Sequence, residues 1–151
     1  MKPVPHLLLA TALLLGSAAA PAQHFAKPED AVAYRQNAFN LMQAHFSPLG
    51  AMASGKSPHD PAAARLHADV VAYLAHLPWA GFIAGSDQGD TRARPEIWTD
   101  SSRFQQEAAD FRQAAAELSQ AARSGELGAL KKAFSATSQS CKSCHDSFRR
   151  K

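Results

Sequence analysis

Between Leu127 and Phe148, seven inward-type residues recur in alternating steps of three and four: Leu127, Leu130, Phe134, Thr137, Cys141, Cys144 and Phe148. That spacing lays one continuous seam along a single helix of about six turns. A helix with such a stripe must bury it against other elements, so the chain needs further helices or a sheet to cover it. The two cysteines lie on the seam, and whatever chemistry they carry therefore belongs to the covered side of the helix.

The rest of the chain supplies helices rather than strands. A first helix begins at Pro28-Glu29-Asp30, where proline and two acids suit the free backbone donors and positive dipole of a helix start. Ala31, Arg35, Phe39, Met42 and Phe46 share one broad face, and Ser47-Pro48 is expected to end the helix. A linker from Gly50 to Pro58 follows. A second helix starts at Asp60-Pro61, carries the stripe Leu66, Val70, Leu74 and Leu77, and stops at Pro78. Asp100 or Ser101 caps a third helix that runs to about Ala122 on the seam Phe104, Ala108, Phe111, Ala115 and Leu118. Ser124-Gly125 separates it from the fourth. The expected fold is all-α, an antiparallel four-helix bundle. Residues 79–99 hold Trp79, Phe82 and Trp98, and a loop this long in a small domain is expected to cover something apolar.

Within the last helix stands Cys141-Lys142-Ser143-Cys144-His145. Positions 141 and 144 are one turn apart, so both thiols reach the same edge of a flat group, and His145 follows on an adjoining face. This is the spacing of covalent haem attachment: each sulfur adds to one vinyl group and the imidazole ligates the iron. One covalent haem c per chain is expected, with His145 as the metal ligand. A thioredoxin-like site would need a strand-helix context that is missing here. The remaining histidines His24, His45, His59, His67 and His76 do not recur at metal-ligand spacing, and none is assigned to the iron. Met42 and Met52 carry sulfur able to bind iron, but Met42 reads as seam packing and Met52 as linker.

Residues 1–22 read as a signal peptide. Lys2 and His6 precede the apolar run from Leu7 to Leu15, and small residues lead to Ala20-Pro21-Ala22. The haem domain is then residues 23–151, exported to the periplasm and free of the membrane after cleavage. Cleavage removes Lys2 from a formal net charge of +3, and two haem propionates bring the total near zero. The basic residues are scattered apart from Arg149-Arg150-Lys151, so the chain does not read as a nucleic-acid binder.

With these residues in view, the sequence resembles the cytochromes c prime, four-helix haem proteins with C-terminal attachment. Four segments carry the likeness: Phe25 to Arg35, Leu77-Pro78-Trp79, Arg94 to Trp98, and Cys141 to His145 with Arg149. The resemblance implies a periplasmic homodimer with pentacoordinate haem that binds nitric oxide and, less readily, carbon monoxide. It implies that Arg35 lies near a haem propionate and Arg149 beside the proximal histidine. Phe39 falls where relatives place a leucine over the distal iron face. Phenylalanine has no donor atom, so it leaves the iron open while crowding that side. Phe82 is the further candidate for the pocket wall.

Gas capture, chiefly of nitric oxide, is the function this reading favours, with one-electron transfer to an unknown periplasmic redox partner as the alternative. No distal acid-base pair or second metal set suggests an enzyme. Leu41, Phe46, Leu49 and Val71 are candidates for the homodimer contact, with monomer core as the other reading.

Overall fold

The computed structural model describes residues 24–151, so the expected signal peptide at 1–22 lies outside the described residues. Five α-helices follow in order: α1 Pro28–Ser54, α2 Pro61–Leu74, a one-turn α3 Glu96–Thr99, α4 Ser101–Arg123 and α5 Leu127–Phe148. A 3-10 turn occupies Pro78–Gly81. Each long helix packs on two others, α1 on α2 and α5, and α4 on α2 and α5. Pro61 at the start of α2 lies by Gly125 just beyond α4, and Asp69, farther along α2, accepts from Ser119 and Arg123, farther back along α4, so those two helices run antiparallel. The Phe46 ring of α1 stacks on Phe134 of α5 at 4.4 Å, while Arg35 and Cys144, near opposite ends of their helices, line one cavity. The bundle is therefore antiparallel throughout. Among the described residues no helix is long and apolar enough to cross a membrane.

The start of α2 follows its sequence closely. Pro61 occupies the first turn, and the Asp60 side chain accepts from the backbone N–H groups of Ala62 and Ala63 at 2.9 and 3.2 Å. The α4 start differs from expectation. Asp100 precedes the helix, but its side chain makes no capping bond.

The larger departure is at Pro48. Helix α1 does not end there but continues to Ser54, leaving only residues 55–60 to reach α2. An interior proline costs a helix about 3 kcal/mol. Leu49 is fully buried and Met52 nearly so, and each buried side chain of that size returns roughly 1.5–3 kcal/mol. Burial thus offsets the broken hydrogen bond, and Gly55 closes the helix in the left-handed region at φ 77°.

On α2 the expected stripe holds at Leu74, which is buried, and at Val70 and Leu77, which pack half-buried against the core, but not at Leu66. Leu66 is 61% exposed, whereas Ala64, Ala68, Val71 and Ala75 are fully buried. The small alanines let α2 approach its neighbours closely, Val71 and Leu74 fill the space between them, and Leu66 and Tyr73 are left outside. The helix ends at Leu74, before Pro78. The seams of α4 and α5 lie where their spacing puts them, with Phe104, Ala108, Phe111, Ala115, Leu118, Leu130, Thr137 and Phe148 all buried.

The segment between α2 and α4 lies against α1 at Gly81. A Cβ there would stand 2.6 Å from the Ala31 carbonyl oxygen and 2.9 Å from the Arg35 Cβ. Gly81→Ala is expected to lower stability by about 1–3 kcal/mol through overpacking. Gly128→Ala on open surface should leave stability unchanged or raise it by up to about 1 kcal/mol. Thermal unfolding of the two variants checks the contrast.

Candidate functional site

The beginning of α1 and the end of α5 enclose a cavity of about 440 Å³ together with the 75–100 segment and α4. This lies within the roughly 300–1,000 Å³ of sites that take cofactors and small molecules. Cys141, Cys144 and His145 line it from α5. Arg35, Phe39 and Met42 line it from α1, Trp79 and Phe82 from the connecting segment, and Phe104 and Phe111 from α4.

Cys141 and Cys144 are free and half-buried on the inner seam. Burial pushes both thiols above their ordinary value. Cys144 reaches about 11, with the neighbouring Glu107 carboxylate and Cys141 adding to the rise. Reactive CxxC thiols sit at helix starts, where the dipole stabilises a thiolate. These lie near the end of a helix and are neutral thiols. Ser143 donates to Glu107 at 3.0 Å, which holds this turn of α5 against α4. Lys142 pairs with Asp146 on the outer face.

His145 stands at the cavity mouth with its outer side exposed. Partial desolvation lowers its pKa, the Arg92 cation lowers it further, and Asp146 pulls the other way. The imidazole is thus held toward its neutral form, which keeps a nitrogen lone pair available.

Arg35 is only 3% exposed. One Nη donates to the Gly81 carbonyl at 2.8 Å and the Ser86 hydroxyl at 2.7 Å. The other donates to the Ser86 carbonyl at 2.6 Å and the Thr91 hydroxyl at 2.8 Å. The guanidinium also lies 4.4 Å from the centre of the Phe82 ring. Burial lowers its pKa to about 10, with Asp87 raising it, so it remains a cation at neutral pH. Among the described residues no carboxylate bonds to it. The residue placed by resemblance near an anionic group is therefore first a clamp on the 81–91 segment, with Nε–H left over.

Arg149 lines the cavity as well, and its N–H donates to the His145 carbonyl at 3.1 Å where the last turn of α5 closes. Its backbone is extended, at φ −126° and ψ 132°, and it bridges antiparallel to Ala93. The Arg94 N–H donates to the Phe148 carbonyl at 3.0 Å, and the Arg150 N–H to the Arg92 carbonyl at 2.8 Å. This short pairing fixes the chain end beside the cavity.

The apolar wall is built around Trp79. Its ring meets Phe39, Phe104 and Phe111 edge-on at 6.0, 5.8 and 6.3 Å, and Phe82 lies roughly parallel at 6.3 Å. Its indole N–H is spent on the Ala75 carbonyl at 2.7 Å, so the cavity meets its ring rather than its donor. Met42 lines the cavity while packing into the main core beside Leu49 and Val71. Met52 is buried in that core away from the cavity. Trp98 does not line the cavity; it packs against the cluster of Ala93, Ile97, Phe104 and Phe148.

Arg92 on the cavity wall was missed from sequence, since nothing in its local pattern marks it. Phe104, Phe111 and Phe148 carried a signal, their places on the seams of α4 and α5, that was read only as packing. A flat, apolar, anionic cofactor fits this set: two thiols and an imidazole on one helix, aromatic walls around the cavity, and a buried cation with no carboxylate bonded to it.

The family model for cytochrome c′ matches residues 30–149. The chain is 45% identical over 127 residues to the cytochrome c′ of Alcaligenes xylosoxydans xylosoxydans, covering 84% of this chain and 98% of that one. Its fold is similar to the cytochrome c prime of Shewanella frigidimarina, with a TM-score of 0.83, 44% identity, and coverage of 85% and 100%. It is likewise similar to the nitric oxide complex of a variant cytochrome c prime from Alcaligenes xylosoxidans, with a TM-score of 0.80, 44% identity, and coverage of 85% and 99%.

Replacing Arg35 by Met would strand four acceptors and detach the 81–91 segment. A loss of about 3–5 kcal/mol is expected, as for other broken buried charge networks. Denaturant unfolding measures it, and Arg35→Lys should recover only part, since an ammonium cannot span both sides of the fork.

Proposed function

The chain belongs to the cytochrome c′ family, and from that membership and the cavity we infer that it is a periplasmic protein holding one covalent haem c and binding nitric oxide and carbon monoxide. The observation that carries this reading is the convergence of Cys141, Cys144 and His145 on one aromatic-walled cavity. Haem, when bound, supplies an iron centre able to take a diatomic gas or one electron. Proteins of this family bind gases or carry electrons and are not enzymes.

Each side chain then has a defined task. Cys141 and Cys144 offer two neutral thiols, one helical turn apart, for thioether formation. His145 offers the iron-binding nitrogen. Arg35, with its Nε–H unused, would offer positive charge to the propionates, and Arg92 and Arg149 would add cations on the cavity wall. Phe39 lines the cavity beside Trp79 and has no donor atom, so it would add no ligand to a bound iron. With the Trp79 donor already spent, the aromatic wall gives little hydrogen-bond help to bound dioxygen or to anions. A nitric oxide complex is known for a variant of the Alcaligenes xylosoxidans relative, which supports the same ligand here.

Electron transfer has one specific support, the exposure of His145 at the cavity mouth, which brings the site within reach of a redox partner. Export rests on the leader-like residues 1–22, and N-terminal sequencing beginning at Gln23 would support it.

Pairing of two copies through α1 and α2 is supported by the large apolar side chains left exposed there. Leu41 is 51%, Leu66 61% and Tyr73 74% exposed, and Leu66 and Tyr73 lie on one side of α2. Leu49 and Val71, two of the interface candidates from sequence, are fully buried within the chain and belong to its core. Phe46 is half-buried against Phe134.

Two outcomes are expected. Electronic and resonance Raman spectra of the reduced protein should show high-spin pentacoordinate iron that takes up nitric oxide. A low-spin hexacoordinate spectrum before gas addition would reject the open site and favour electron transfer. Leu66→Glu should convert dimers to monomers in analytical ultracentrifugation without altering the haem spectrum, and an unchanged sedimentation profile would remove that face from the interface.

A further inference from the structure

His45 and His67 are 22 residues apart in sequence, on α1 and α2, yet their Nδ1 atoms stand 3.0 Å apart. The ring centres are 5.2 Å apart with 55° between the planes. Both rings are half-buried, and neither lines the haem-site cavity. Their backbones are held by the α1–α2 contact, with Leu49 and Val71, each four residues on from a histidine, fully buried. The pair is thus preset by the bundle rather than by local sequence.

We propose that His45 and His67 form a second metal site, in which their two Nδ1 atoms chelate a divalent transition ion of tetragonal preference, Cu²⁺ foremost. Two nitrogens 3.0 Å apart, each roughly 2.0–2.1 Å from one ion, subtend an angle of about 95° there. That is close to the right angle between neighbouring ligands of tetragonal Cu²⁺ or Ni²⁺, and short of the tetrahedral angle that Zn²⁺ favours. Imidazole is a suitable donor for all three ions. In the neutral pair one Nδ1 carries the shared proton. On chelation that proton moves to Nε2 of the same ring, both Nδ1 lone pairs turn to the ion, and no net proton is released. Among the described residues no third histidine, cysteine or carboxylate completes a cluster, so the remaining positions take water or an outside ligand. The site is independent of what the cavity holds.

The test is Cu²⁺ titration of the haem-loaded protein carrying His24→Gln, which removes an exposed competing histidine, followed by calorimetry and electron paramagnetic resonance. One ion per chain with hyperfine structure from two imidazole nitrogens is expected. His45→Gln and His67→Gln should each weaken binding at least tenfold while leaving the haem spectrum unchanged. Copper-dependent protection of both rings from diethylpyrocarbonate, read by mass spectrometry, tests the unsubstituted pair should either variant fail to fold. Equal copper affinity in the variants, coordination by a single imidazole, or failure of copper to protect both rings would overturn the proposal.

Discussion

A buried cation organises the functional end of this molecule. Arg35 leaves water on the inner face of α1, and a charge so placed is costly unless its donors are used. Two carbonyls and two hydroxyls of the 81–91 segment use four of them. The path of that segment follows from this requirement, because it must bring Gly81, Ser86 and Thr91 to one guanidinium. Trp79 and Phe82 are carried along with it and become cavity wall. Thr91 also leads directly into the residues that pair with Phe148 and Arg150, so the same strap reaches from α1 to the end of α5.

The two ends of the bundle divide the work of stability and function. Away from the cavity, Leu49, Leu118 and Leu130 fill the interior with aliphatic side chains and no polar demand. At the cavity end, aromatic rings meet at their edges around Trp79, and edge contacts of this kind add about 0.5–1.5 kcal/mol each beyond burial. Rings arranged this way hold a wall in place without closing the space it encloses. Alanines between the helices keep the scaffold narrow, with the consequence that larger residues such as Leu66 and Tyr73 remain on the outside of α2.

The parts of this arrangement that could be read along the chain are those set within one helix. The α4 and α5 seams, the Asp60-Pro61 start and the spacing from Cys141 to His145 all depend on neighbours three or four residues away. Errors arose where distant contacts outweighed local preference. Burial of Leu49 and Met52 carried α1 through Pro48, and alanine packing turned Leu66 outward. Arg35 lines the same cavity as Cys141 and His145, but its hydrogen bonds go to loop acceptors 46 to 56 positions away that no local pattern marks.

By itself, then, the sequence determined an all-α chain with two thiols and an imidazole at the C-terminal end of its last helix, because helical periodicity is a property of consecutive residues. Tertiary structure alone decided that Arg35 grips the connecting segment, that Arg92 joins the cavity wall, and that His45 and His67 meet. Those outcomes depend on how separate helices and loops are juxtaposed, which is set by the sum of packing over the whole chain and leaves no mark at the positions themselves.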